Sequence, residues 1–273
     1  MVTTFRKSLG LTTVAWLLLV VFVAFVVNFN ALARAALAVE ESFLMYVAPS
    51  AERAYAYGNR HFDARHPLLY DIVRAERFYN RAVVLDSHLP YLQHQLARIA
   101  FLRNGNVDAM ARINLELANN PEPSPSSYYV RGLIEGYMGR YEEAAKDYEK
   151  YLESDPNNWA AITDYSWVLL KAGRSADAAT ATERGLEYFP DNAWLLNASA
   201  IAHYEIGDLA KAYERAKAAV AASESVTEQR WLSAYPGNDP KIAMYGIQTL
   251  RNASLANMHM IALALASSTV QSM

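Results

Sequence analysis

A chain of 273 residues that is 53% apolar and 19% charged carries enough apolar side chain for a substantial core and too much for a disordered chain. Its formal net charge of −3, from 25 basic and 28 acidic residues with no basic stripe, lacks the electrostatic footprint of a nucleic-acid-binding protein. With no cysteine it has neither a disulfide framework nor a thiolate metal site.

Between Ser8 and Ala33 no charged residue occurs, and the centre reads WLLLVVFVAFVV. At about 1.5 Å per helical residue this stretch spans roughly 39 Å, enough to cross a hydrocarbon core of about 30 Å. Arg6 and Lys7 precede it, whereas Arg34 beyond it is soon offset by Glu40 and Glu41. The positive-inside bias therefore makes residues 1–33 a cytoplasmic N-terminus and transmembrane anchor, in the lipid bilayer through residues 8–33. The expectation is a single-pass membrane protein whose remainder is periplasmic or otherwise extracytoplasmic, with a bacterial inner membrane as the setting. A cleaved signal peptide competes, because Ala31-Leu32-Ala33 has the small-x-small form of a cleavage site. Against that, the apolar run from Leu11 to Val27 exceeds the roughly 7–15 residues of a signal h-region. Residues 34–48, rich in Ala and Leu and free of Gly and Pro, continue the anchor as a helical stalk.

The stretch GRYEEAAKDYEKYLESDPNN, beginning at Gly139, predicts a helix with Ala144, Tyr148 and Tyr151 on one face, stopped by Pro156 and two asparagines. A step of 34 residues carries Gly139 to Gly173, Ala144 to Ala178 and Pro156 to Pro190; a second reaches Gly207 and Ala212. One step back reaches Gly105, with Met110 in place of the small residue. Further upstream, Ala75, Tyr79 and Ala82 have the spacing of a unit's second helix, with its first near AERAYAYGNRHFD and ARHPLLY inserted between them.

Tyr128, Gly132, Gly139, Tyr141, Ala144, Tyr148 and Pro156 together resemble the tetratricopeptide repeat (TPR), and the 34-residue period over three steps supports that resemblance. It covers roughly Pro49 to Val226, and departs from the pattern at Arg131, Glu135, Thr182 and Glu224. It implies an all-α fold, a right-handed superhelix of TPR helical hairpins between the N-terminal transmembrane helix and a C-terminal capping segment. Residues 49–226 would hold about five hairpins, the first irregular, and residues 227–273 the capping segment. One hairpin cannot bury its apolar face alone, so neighbours must stack into a curved array with a concave side.

The resemblance also implies that first helices line the concave side. The candidate partner-binding residues there are Tyr129, Leu133, Tyr137, Trp167, Leu170, Trp194, Ile201 and Tyr204, an aromatic and apolar set suited to a partner helix or extended segment. The basic groups with which tail-binding members of this family clamp a carboxylate are missing apart from Lys171. After YPGNDP, a helix from about Lys241 to Ser267 presents Ile247, Leu250, Leu255, Met258, Ile261 and Leu265 to cover the last repeat. Its run LANMHMIALALA has only 12 residues, too few for a second span.

Among the six histidines, only His61 and His66 around Asp63 suggest a metal cluster, and their spacing fits surface histidines in a loop better. No phosphate loop, nucleophile elbow or zincin motif is present, so no enzyme activity, no cofactor and no small-molecule substrate is expected. The functional expectation is a membrane-anchored TPR module that scaffolds or recruits partner proteins on the non-cytoplasmic side. The alternative is a permanent structural or accessory subunit of a larger membrane protein complex.

Overall fold

The computed structural model describes residues 2–234 and 238–271; side chains are described from Trp16 onward, except those of Val27, Asn30 and residues 269–271. The side chains of Arg6 and Lys7, and part of the YPGNDP break, lie outside the described residues. The described residues form thirteen α-helices, one short 3-10 turn and no strand.

Helix α1, Val2–Val47, is a single run of 46 residues. From Trp16 it carries an apolar stretch with mean hydropathy 2.3, none of it buried by the rest of the protein and long enough to cross a membrane; a signal sequence has the same properties. Five hairpins follow: α2 (Ala51–His61) with α3 (Ile72–Leu85), α4 (Leu92–Leu102) with α5 (Asn106–Asn119), α6 (Pro125–Tyr137) with α7 (Tyr141–Ser154), α8 (Trp159–Lys171) with α9 (Ser175–Tyr188), and α10 (Ala193–Glu205) with α11 (Leu209–Glu224). The chain closes with α12 (Glu228–Leu232), the 3-10 turn Pro240–Ile242 and α13 (Ala243–Gln271).

The first helices α6, α8 and α10 open at Pro125, Trp159 and Ala193, each 34 residues after the last, so the sequence period is the structural period. At the inner turns Gly139, Gly173 and Gly207 have φ of 78°, 77° and 84°, the left-handed region that a side chain disfavours. There the amides of Arg140, Arg174 and Asp208 donate to the carbonyls of Glu135, Leu169 and His203 at 2.9, 2.8 and 2.9 Å, closing the helix ends. The α4–α5 turn differs. Its left-handed residue is Asn104, φ 60°, rather than Gly105, because asparagine tolerates this conformation.

Ala144, Ala178 and Ala212 are fully buried where paired helices approach. On the facing helix a Cβ on Gly132 would lie 3.1 Å from the Ala144 carbonyl oxygen and 3.3 Å from the Tyr148 ring. Successive hairpins then share their cores: Val130 and Ile134 of α6 join Ala97, Ala109 and Ile113 of the preceding pair. Tyr129 and Leu133 pack with Tyr148, Val168 and Leu169 of the following elements.

Polar departures from the repeat pattern find local partners. Arg131 donates two bonds to Asp147 at 2.6 and 2.7 Å. Thr182 donates back to the carbonyls of Ala178 and Ala179. Glu135 is buried with one carboxylate oxygen unpartnered, and burial pushes its carboxyl up to about 7. Glu183 of α9 ties α10 and α11 together by accepting from Ser199 at 2.7 Å and Arg215 at 2.8 Å. Burial raises its carboxyl, but the bonds from Arg215, Ser199 and Lys211 prevail and hold it at about 2.

Both ends are fastened. Glu41 of α1 is fully buried and meets Nε2 of His61 at 3.1 Å, Arg74 at 2.9 Å and Arg60 at 3.3 Å, so a charged cluster joins the end of α1 to the first hairpin. His61 is therefore a buried residue at the end of α2, not a loop histidine on the surface; His66 is exposed near Asp63. At the other end α13 lies on α11 and α10 through buried Ile247, Leu250 and Ile261, whereas Leu255 faces outward. Arg251 donates to the carbonyls of Ser223 and Glu224 at 3.1 and 3.0 Å, capping the end of α11.

Replacing Ala144 by Leu forces extra atoms into the closest part of a hairpin. The expected cost is on the order of 1–3 kcal/mol in chemical denaturation of the full chain, and an unchanged curve would contradict the close approach.

Candidate protein-binding groove

Stacking leaves the first helices on the inner side of the curve, where they line a cavity of about 240 Å³. Phe101 and Leu102 enter it from α4, Leu133 and Tyr137 from α6, and Trp194 from α10. Helix α8 contributes Trp159, Ala160, Thr163 and Asp164. Trp231, Ala234 and Asn238 of the C-terminal segment complete the lining. The walls are aromatic pairs: Phe101 and Tyr137 have ring centroids 5.2 Å apart, and Trp159 and Trp194 are 5.0 Å apart.

Of the residues expected on this face, Leu133, Tyr137 and Trp194 line the groove. Tyr137 is 62% exposed and the most open of them. Tyr129 lies fully buried beneath, and its hydroxyl donates to Asp164 at 2.7 Å. Trp167 is wedged sideways, its ring 5.2 Å from that of Tyr137 and so close to Gly136 that a Cβ there would sit 2.7 Å from it. Leu170 packs on the central core cluster. Ile201 is partly buried on α10, and Tyr204 packs on Ala200, Ala212, Ala216 and Ile261 beneath α13. Trp167, Leu170, Ile201 and Tyr204 thus stand outside the cavity lining, and Trp167, Leu170 and Tyr204 join neighbouring elements.

Phe101, Trp159, Thr163, Asp164 and Trp231 were not anticipated. Thr163 follows Tyr129 by one 34-residue step, so the period itself could have located it. Asp164 has valine and alanine at its repeat equivalents, Val130 and Ala198, and Trp231 lies beyond the repeats, so neither had a periodic signal.

Asp164 is the groove's one carboxylate among the described residues, seated under the floor and partly open to it. Burial pushes its carboxyl up to about 7, opposed by the bond from the Tyr129 hydroxyl. Burial, with Asp164 next to it, in turn holds the Tyr129 phenol well above its ordinary range. The outer face has a different character: Glu142 and Glu143 are exposed, and Arg174 bridges Glu142 and Asp177 at 3.6 and 2.8 Å in solvent.

The tetratricopeptide repeat family matches residues 137–193. Among solved structures, YrrB, described as a TPR protein with an unusual peptide-binding site, is similar with a TM-score of 0.55 and 16% identity, over 67% of this chain and 92% of that one. MamA is similar with a TM-score of 0.52 and 16% identity, over 59% of this chain and 93% of that one. A second MamA structure gives 0.51 and 16%, over 62% and 92%. At these identities the likeness establishes the fold. No curated protein sequence matches the chain.

Residues 137–193 are tetratricopeptide repeat by the family match, and the described residues as a whole form an all-α array of helical hairpins with the fold of these TPR structures. The fold family is generally non-catalytic.

A carboxyl held near 7 when folded and near the ordinary value of about 4 when unfolded stabilises the fold only while it keeps its proton. That stability is present below about pH 4 and lost as pH rises toward 7, because the unfolded chain ionises first. Asp164→Asn should therefore gain on the wild type by at least about 1 kcal/mol between pH 4 and pH 8, discounted for the partial opening of the site. Parallel denaturation curves with an unchanged difference at both pH values would contradict the assignment.

Proposed function

We propose that this protein is a membrane-anchored interaction module that recruits or scaffolds partner proteins on the non-cytoplasmic side of a membrane and takes them in its concave groove. The observation that carries the reading is Tyr137, 62% exposed in a cavity otherwise walled by aromatic rings. Exposed aromatic anchors in a concave apolar surface are where binding energy concentrates. The peptide-binding site named for YrrB supports the reading by analogy of fold alone. The apolar stretch of α1 supports the anchor, and Arg6 and Lys7 before it support the orientation. The cluster around Glu41 would hold the repeats at a fixed attitude to that anchor.

A permanent place in a larger membrane complex is favoured instead by the outer face of α13, where Met244, Tyr245 and Leu263 are 64%, 74% and 72% exposed. Purification of one assembly of fixed stoichiometry under mild detergent would select that alternative.

Tyr137→Ala in the full chain should weaken capture of the native partner at least tenfold, about 1.4 kcal/mol, because truncating an exposed anchor removes contact without opening the core. The paired change Glu142→Gln and Glu143→Gln should leave capture nearly unaltered. Normal binding by the folded tyrosine variant with loss in the glutamine variant would place the partner on the outer face.

Topology is tested in intact cells. Protease supplied to the non-cytoplasmic face should digest the repeats while the protein's N-terminus still begins near Met1. A soluble species beginning near Arg34 would show a cleaved signal peptide.

A further inference from the structure

The groove already holds a piece of its own chain. After α11 the backbone does not run directly into α13; the Thr227 side chain caps the short α12 by accepting from the Arg230 amide, and Trp231, Ala234 and Asn238 of this segment line the groove. Trp231 enters the groove beside Tyr137 and Trp159. Outside the cavity lining, at its Trp159 wall, the Arg230 guanidinium lies 5.3 Å from the centre of the Trp159 ring, a cation over the most electron-rich side chain available. One residue further, Leu232 packs against the cluster of the first hairpin, so the strap spans from the last hairpin to the first.

The seat for Trp231 is shaped on its other side as well. It rests on Gly246 of α13, where a Cβ would lie 2.4 Å from the indole, and its carbonyl accepts from Asn238 at 2.8 Å. No residue of α12 is fully buried; Trp231 and Leu232 are partly buried, and Glu228, Gln229 and Arg230 are exposed. A groove wall that takes a guanidinium on the Trp159 face and an indole beside it is complementary to a positive charge next to an aromatic ring. An acidic residue on the Trp159 face would forfeit that attraction.

We propose that the groove selects segments in which an aromatic residue adjoins a basic one, and that Arg230 and Trp231 are the protein's own occupant, displaced when such a partner segment binds. The proposal rests on the protein-binding reading of the groove and adds to it the chemistry of the partner and a competitor built into the chain.

The probe is a fluorescent synthetic peptide of residues 227–239, titrated into the full-length protein in detergent. The wild type should bind it weakly because its own strap competes. Trp231→Ala should bind it at least tenfold more tightly. Arg230→Glu in the chain removes the cation from the Trp159 face and loosens the strap by a second route, with a gain in the same direction. A peptide with glutamate at position 230 should bind the loosened protein at least tenfold more weakly than the native peptide. Two folded loosened variants that bind no better than the wild type, or equal binding of both peptides, would overturn the proposal. If partner capture still depends on Tyr137 in that case, only the aromatic–basic selectivity and the competitor fall. If it does not, the groove reading falls with them.

Discussion

A TPR hairpin buries one apolar stripe between its own helices and leaves another that only a neighbour can cover. Everything else in this molecule depends on how closely the two helices meet. With Gly132 against the Ala144 carbonyl, and alanine again at 178 and 212, the pairs approach nearly backbone to backbone. Because the same small residue returns every 34 positions, each hairpin presents its second stripe in the same direction. The first helices therefore collect on one side, and a groove appears without any residue being dedicated to making it. Larger side chains such as Trp167 fill the gaps between neighbouring units.

The groove differs chemically from the rest of the surface for the same reason. Side chains that face inward along a curve are crowded by residues from the next repeat, so a carboxylate there loses water that Glu142 and Glu143 keep outside. Asp164 is the consequence: a carboxyl raised to about 7 beneath aromatic walls. The strap at residues 228–234 shields these walls in the free protein, while Tyr137 stays open beside it. Any partner of the groove then meets a competitor already in place. Its apparent affinity reports the difference between two occupants and not the strength of one.

The regular part of the array was legible because its signals are periodic. Helices α6 to α11 begin at a 34-residue step that glycine, alanine and proline announce, and the left-handed turns fall on three of those glycines. Where the signal depended on substitution it failed: Gly105 matched the period, but Asn104 took the left-handed turn. Two features had no local signature at all. Glu41 reads as one more polar residue on a stalk, and only the folded chain brings His61 and Arg74 to it from the first hairpin. Helix α12 is too short to show a period, so Trp231 reads as a tail residue until the chain turns it back into the groove. The concave set was named by resemblance to a family whose first helices line the inner face. That rule located Tyr137 and Trp194, but it could not separate groove residues from those, like Trp167 and Tyr204, that join adjacent elements.

The central claim, that partners enter the concave groove, is tested most directly by site-specific photo-crosslinking in intact cells. A photoreactive phenylalanine analogue placed at Tyr137 is compared with the same group at Glu143 on the outer face. The account predicts a discrete higher-mass adduct from position 137 on irradiation and none from position 143. An adduct from position 143 alone, with the position-137 protein folded, would contradict it.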